Sequence, residues 1–231
     1  MNARIESLQQ EAASSLADQA LGQIAVQLPG ATAVFRRLKL DFCCGGQTIL
    51  RQAANEKNLD LAAVLAELDG LERGSASPAG TEPAQLISHI LQRYHQVHRE
   101  QLPELIRMAQ RVELVHQGRA DVPKGLGDLL QTIEAEMLDH MHKEENILFP
   151  MLQAGNNPFA VHPINVMRSE HISHGLQLER LTELTQDATP PVDACNTWRA
   201  LYAGIAQLKD DLINHIHLEN NVLFPQFEKA T

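Results

Sequence analysis

The chain has 231 residues, 44% of them hydrophobic, enough for one large or two modest buried cores. Acidic side chains outnumber basic ones by 29 to 19, for a formal charge of -10, which argues against nucleic acid or an anionic lipid surface as a partner. The opening stretch MNARIESLQQEAASSLADQA is broken by charges and glutamines, and no later run approaches membrane-spanning length, so a cytoplasmic protein is expected.

The first part of the chain reads as short helices. Ser7 to Leu28 is helical in composition, Pro29-Gly30 breaks it, and a short apolar segment runs to Leu40. The sequence LDFCCGGQ then turns at Gly45-Gly46, and amphipathic pieces follow over Thr48 to Glu56 and Leu59 to Leu71. Three cysteines, two of them adjacent, do not form a disulfide framework. On a Gly-Gly turn, Cys43 and Cys44 are either accessible soft ligands open to nitrosation, oxidation or metal transfer, or a small apolar pair packing the domain. Cys195 reads as structural. The composition of RGSASPAG marks a linker, which gives a small helical domain at 1–72, a linker at 73–80 and a second domain at 81–231.

Four long helical patterns follow. The first runs from Pro83 to about His116 with a bend expected at Pro103, and its seam is Leu91, His95, His98, Leu102, Leu105, Ala109 and Val112. The second starts after Pro123 with the seam Ile133, Met137, His140, Glu144, Ile147 and Met151, and Gly155 ends it. The third begins near Pro163 with Ile164, Met167, His171, His174, Leu178 and Leu181; the fourth, capped by Asp193, carries Ile205, Leu208, Leu212, His215, Glu219 and Val222. Steps of three and four in every seam predict an all-α, antiparallel up-down four-helix bundle.

The seams carry the chemistry. EMLDHMHKEENILFP and DLINHIHLENNVLFP repeat at an offset of 75 residues and align His140 with His215 and Glu144 with Glu219. Residues at i and i+4 share a helical face, so each His-Glu pair can reach one point. His95 and His171 lie 45 and 44 residues before their partners His140 and His215, on the other two seams. Buried carboxylates and imidazoles are costly without compensation, and a metal centre supplies it. His95, His140, Glu144, His171, His215 and Glu219 therefore suit a pair of metal ions, each with two imidazoles, the glutamates bridging, and one oxo or hydroxo bridge leaving a position open on each.

Other residues are placed by register. Glu136 and Asp211 are expected to accept the second ring N–H of His140 and His215. His142 and His217 lie about 200° around the helix and should face outward. His98 and His174 share the seam and read as supporting or channel-lining groups, with a fifth-ligand role as the alternative. His89 and His116 read as surface histidines, and the duplicated Phe-Pro pairs as helix ends.

RYHQVHREQLPEL, HMHKEENILFP, the SEH around His171 and HIHLENNVLFP resemble the hemerythrin-like domain of the YtfE-type repair-of-iron-centres family, and LDFCCGG resembles its N-terminal domain. That resemblance implies two non-haem iron ions held by His95, His140, Glu144, His171, His215 and Glu219, and a functional role for Cys43 and Cys44. It implies repair of iron-sulfur clusters after nitrosative or oxidative stress, by iron donation or NO reduction. Its implied partners are damaged iron-sulfur proteins and NO or O2, with neither nucleic acid nor membrane; a homodimer stays open. The alternatives are an O2 carrier or sensor, favoured if His98 or His174 is a ligand, and a zinc or manganese hydrolase.

Overall fold

The computed structural model describes residues 16–71, 81–155 and 158–228, so the expected linker and the start of the first expected helix lie outside them. The described residues form helices and turns, with a single isolated bridge, Ala20 to Ile49, in place of any strand. The chain divides into two compact units, Met1–Glu82 with His217–Gln226, and Pro83–Ile216 with Phe227–Thr231.

In the first unit, α1 is Leu21–Gln27, α2 Ala31–Arg37, α3 Leu50–Glu56 and α4 Leu61–Asp69. The helix expected to run unbroken to Leu28 is interrupted before Leu21. The Leu21 N–H goes to Thr48 O at 2.9 Å and the Leu50 N–H to Gln19 O at 2.9 Å, so the backbone near Ala20 pairs across the unit instead of along a helix. Gly30 stands at φ 89° ahead of α2, a conformation that glycine adopts without a Cβ penalty. The Asp60 carboxylate accepts the Ala62 N–H at 2.9 Å and caps α4. Leu21, Ile24, Phe35, Phe42, Leu50 and Leu68 are buried together, each contributing roughly 1.5–3 kcal/mol by leaving water.

The second unit carries the long helices. α5 (Pro83–Ile90) passes through a widened π turn, Leu91–His95, into α6 (Gln96–Val115). α7 (Leu126–Lys143) passes through a second π turn, Glu144–Leu148, into α8 (Phe149–Gln153). α9 (Val161–Leu184) is α-helical throughout. α10 (Asn196–His217) runs on into a third π turn, Leu218–Leu223, and α11 is Pro225–Glu228, with His217–Gln226 counted in the first unit. The four long runs make the four-helix bundle that the seams predict.

The π turns correct the sequence reading. Each is closed by an N–H reaching five residues back, Gln96 to Leu91, Phe149 to Glu144 and Phe224 to Glu219. One extra residue per turn rotates everything beyond it. Ile147 accordingly lies 52% exposed while Leu148 and Leu152 are buried, so the second seam shifts by one residue after Glu144. The first seam shifts likewise, with Ile90 and Tyr94 buried where Leu91 was expected. Pro103 sits within the continuous helix α6; the departure from α geometry is at the π turn, Leu91–His95, nearer the start. Phe149-Pro150 does not end its helix, because the widened turn accommodates a proline that has no N–H to donate, whereas at Phe224-Pro225 the π turn stops at Leu223 and a separate short helix starts at Pro225. Asp193 does not cap α10. It pairs with Arg119 at 2.6 Å, and the helix starts at Asn196.

Candidate metal centre

His95, His140, Glu144, His171, His215 and Glu219 are each 0 or 1% exposed. Three of the six sit in or beside the π turns, since His95 ends the first, Glu144 begins the second and Glu219 lies in the third. Such turns recur at functional sites because they re-aim side chains.

The donors fall into two groups whose ligand atoms lie within 4.8 Å of one another: His95, Glu144, His215 and Glu219, and His140, Glu144, His171 and Glu219. His95 Nε2 is 3.2 Å from His215 Nε2, and His171 Nε2 is 3.1 Å from His140 Nε2. Two imidazole nitrogens about 2.1 Å from one cation, at right angles, would stand about 3.0 Å apart. Glu144 connects the groups, with Oε2 3.3 Å from His95 Nε2 and Oε1 3.4 Å from His140 Nε2. The donor set fits two cations with shared carboxylates.

Supporting groups fix the tautomers. His95 Nδ1 donates to Glu145 Oε1 at 2.8 Å, and Glu145 also takes Arg99 at 2.8 Å. His140 Nδ1 donates to Glu170 Oε2 at 2.8 Å, and Lys143 Nζ holds the other oxygen at 2.6 Å. With the proton on Nδ1, each Nε2 turns a lone pair toward the centre. Burial alone would raise the Glu145 carboxyl, but hydrogen bonds from His95 and Arg99 hold it below the ordinary range. The hydrogen bond from His140, with Lys143, draws Glu170 down to about 2.

The sequence reading missed both carboxylates and chose others. Glu136 instead accepts from Gln177 Nε2 at 2.7 Å, and Asp211 pairs with Arg93 at 2.5 Å. Glu145 and Glu170 are sequence neighbours of Glu144 and His171, and that adjacency was the available signal. Tyr94, also unanticipated, stacks on His215 with centroids 5.3 Å apart.

His98 and His174 are buried but belong to neither donor group. Burial, then His215, pushes His98 down to about 3; burial, then His140, pushes His174 down to about 4. Both are therefore neutral near pH 7. His142 faces outward as expected. His217 does not: it is 4% exposed, edge-on to Phe42 at 5.2 Å within the first unit, and burial pushes it down to about 4. His116 and Cys195, read as a surface histidine and a structural cysteine, stand together with Nε2 3.3 Å from Sγ, and Cys195 is exposed.

Cys43 and Cys44 are free thiols with sulfurs 3.7 Å apart. The turn that presents them is held within the first unit. Asp41 accepts the Cys44 and Gly45 N–H groups at 2.9 and 2.8 Å, while Asn220 and Asn221 donate to Cys43 O and Phe42 O at 3.0 Å each. The neighbouring Cys44, then burial, push the Cys43 thiol well up.

A helical bundle with four imidazoles and two shared carboxylates turned into its core is the architecture of a cation-binding protein. Residues 86–227 match the hemerythrin HHE cation binding domain, and residues 17–72 match the ScdA_N domain, whose function is unknown. The chain is 51% identical over 212 residues to the iron-sulfur cluster repair protein YtfE of Musicola paradisiaca, covering 90% of this chain and 96% of that one. It is 48% identical to the probable iron-sulfur cluster repair protein of Haemophilus influenzae, covering 92% and 97%. It is 51% identical to YtfE of Yersinia pseudotuberculosis, covering 90% and 96%. The chain belongs to the YtfE family of hemerythrin-domain proteins. Among the described residues no helix is long and apolar enough to cross a membrane.

Proposed function

We propose that this protein repairs iron-sulfur clusters in the cytoplasm, using two non-haem iron ions held in the bundle by His95, His140, Glu144, His171, His215 and Glu219. The observation that carries the reading is the Glu144 carboxylate, which offers one oxygen to each histidine pair; the similarity to iron-sulfur cluster repair proteins supports it. Bound there, iron supplies a redox-active centre for a small ligand such as NO or O2 and a store of metal for a damaged cluster. The protein's own part is to orient and shield. Glu145 and Glu170 hold His95 and His140 in the tautomer that donates inward, and full burial of the six donors keeps bulk water out. Cys43 and Cys44, in the small N-terminal domain, are the groups that meet a client protein. An O2 carrier with a fifth histidine is disfavoured, because His98 and His174 lie outside both donor groups.

The test is iron content and spin coupling in the wild type and in Glu144→Leu/Glu219→Leu, alongside recovery of an iron-sulfur enzyme inactivated by NO. The wild type should hold two coupled irons and restore the client, and the double variant should do neither. A coupled pair surviving in the double variant, or restoration without any iron, refutes the reading.

A further inference from the structure

Asp41, Cys43 and Cys44 place a carboxylate oxygen and two sulfurs within 4.8 Å of one another, apart from the bundle donors. Their spacings are those of a tetrahedral cation site. Two sulfurs about 2.3 Å from one metal, at the tetrahedral angle, stand about 3.8 Å apart, and a sulfur and an oxygen about 3.6 Å. Cys43 Sγ is 3.7 Å from Cys44 Sγ and 3.4 Å from Asp41 Oδ1. We propose that Asp41, Cys43 and Cys44 bind one divalent cation of borderline softness, Fe2+ or Zn2+, with the fourth position open to a donor from another molecule.

Three further features fit this role. The donor set is mixed, two thiolates and a carboxylate, which suits Fe2+ and Zn2+ better than Mg2+ or Ca2+. The donors are arranged in advance. Asp41 is oriented by the Cys44 and Gly45 N–H groups, and carboxylate oxygens that accept N–H bonds keep lone pairs for a metal. Asn220 and Asn221 pin the two carbonyls that frame Cys43. The site is also open, since Asp41 is exposed and Cys44 half-buried. A closed four-donor site holds its metal structurally, whereas three protein donors leave a position for exchange. Binding moves no electrons: each thiol releases its proton to solvent as its sulfur takes the cation, and the Asp41 carboxylate lends a lone pair. A thiolate of a client could enter the fourth position and draw the cation away by ligand exchange; that step alone rests on the repair reading.

The experiment uses full-length protein with its bundle already loaded with iron, kept reduced and anaerobic, and titrated with Co2+. Imidazole and carboxylate donors give no sulfur-to-cobalt charge-transfer band, so that band reports thiolate coordination only. One equivalent of Co2+ should give the band with tetrahedral ligand-field absorption, displaced by Zn2+. Cys43→Ser and Cys44→Ser should each lower its intensity by about half and weaken binding by at least the roughly 10–100-fold that loss of a mere supporting group costs. Asp41→Asn should keep the band but weaken binding, and Cys195→Ser should change nothing. Absence of the band, its persistence at full strength in Cys44→Ser, or its loss in Cys195→Ser overturns the proposal. Bundle iron, read separately on the same samples, distinguishes failure of this site from failure of the repair reading.

Discussion

Glu170 accepts a hydrogen bond from Nδ1 of His140 at 2.8 Å, across thirty residues of sequence. The carboxylate is itself anchored by Lys143, so it both sets the tautomer and locks the ring. Replacing it with glutamine keeps an acceptor but removes the charge and the Lys143 pair. We expect Glu170→Gln to lower iron affinity by roughly 10–100-fold while leaving the unfolding of the metal-free protein nearly unchanged. Glu145→Gln should act the same way through His95. Chelator competition reads the first quantity and urea denaturation the second; unaltered affinity would remove the positioning role.

Glu144 gives a prediction whose sign depends on metal. Burying a carboxylate costs several kcal/mol of hydration, and an apolar side chain in its place removes that cost. Glu144→Leu should therefore raise the urea midpoint of chelator-treated protein or leave it level. In iron-loaded protein the order reverses, because iron bound at about a thousandfold above its Kd adds about 4 kcal/mol to the native state. Urea curves for both proteins, with and without iron, check the crossing. Parallel curves would mean that Glu144 contributes no metal binding.

Side-chain periodicity was enough to place α9, where Ile164, Met167, His171, His174, Leu178 and Leu181 are all buried as the spacing requires. It failed in the second helix one turn past Glu144, where Ile147 turns out to solvent and Leu148 turns in. A π turn is a change of backbone hydrogen-bond partner, and the one-residue slip it causes was hidden here because Ile147 and Met151 are as apolar as Leu148 and Leu152. The buried histidines were legible because a polar residue that replaces an apolar one on a seam is carried inward with it. Glu145 and Glu170 were not, because each reaches a histidine on another helix, while Glu136 and Asp211 had the correct i to i+4 spacing but stronger partners in Gln177 and Arg93. His217 was misplaced because register excluded it from the bundle seam but could not show that Phe42 covers it.

Gly46 is the tightest point of the cysteine turn. A Cβ there would lie 2.6 Å from Asn221 Oδ1 and 2.7 Å from Phe42 O, and the backbone carbonyl cannot swing aside as a side chain can. Gly46→Ala should destabilise the protein by about 1–3 kcal/mol through overpacking and speed alkylation of Cys43, which the intact turn keeps buried. Gly118, with nothing within 4 Å of a Cβ, serves as the control. Equal urea midpoints for the two alanine variants would contradict the packing argument.

Arg119 ties the two loops at one end of the second unit, hydrogen-bonding Asp121 at 2.8 and 2.7 Å and Asp193 at 2.6 and 2.8 Å. Its hydrogen bonds hold Asp193 down to about 2, from an ordinary 3.8, and lower Asp121 as well. Between pH 2 and about 4 the unfolded chain thus binds more protons than the native one, so stability rises with pH across that window. The contribution is complete above about pH 4 and is lost as pH falls through the native value. Because all three groups are solvated, the effect is modest and screened by salt. Arg119→Gln should therefore match the wild type in the slope of urea midpoint against pH above pH 5, and show a shallower decline below pH 4. High salt should erase the difference, since it weakens the ion pairs that create it, and a difference that persists in high salt would assign the low-pH slope to other groups.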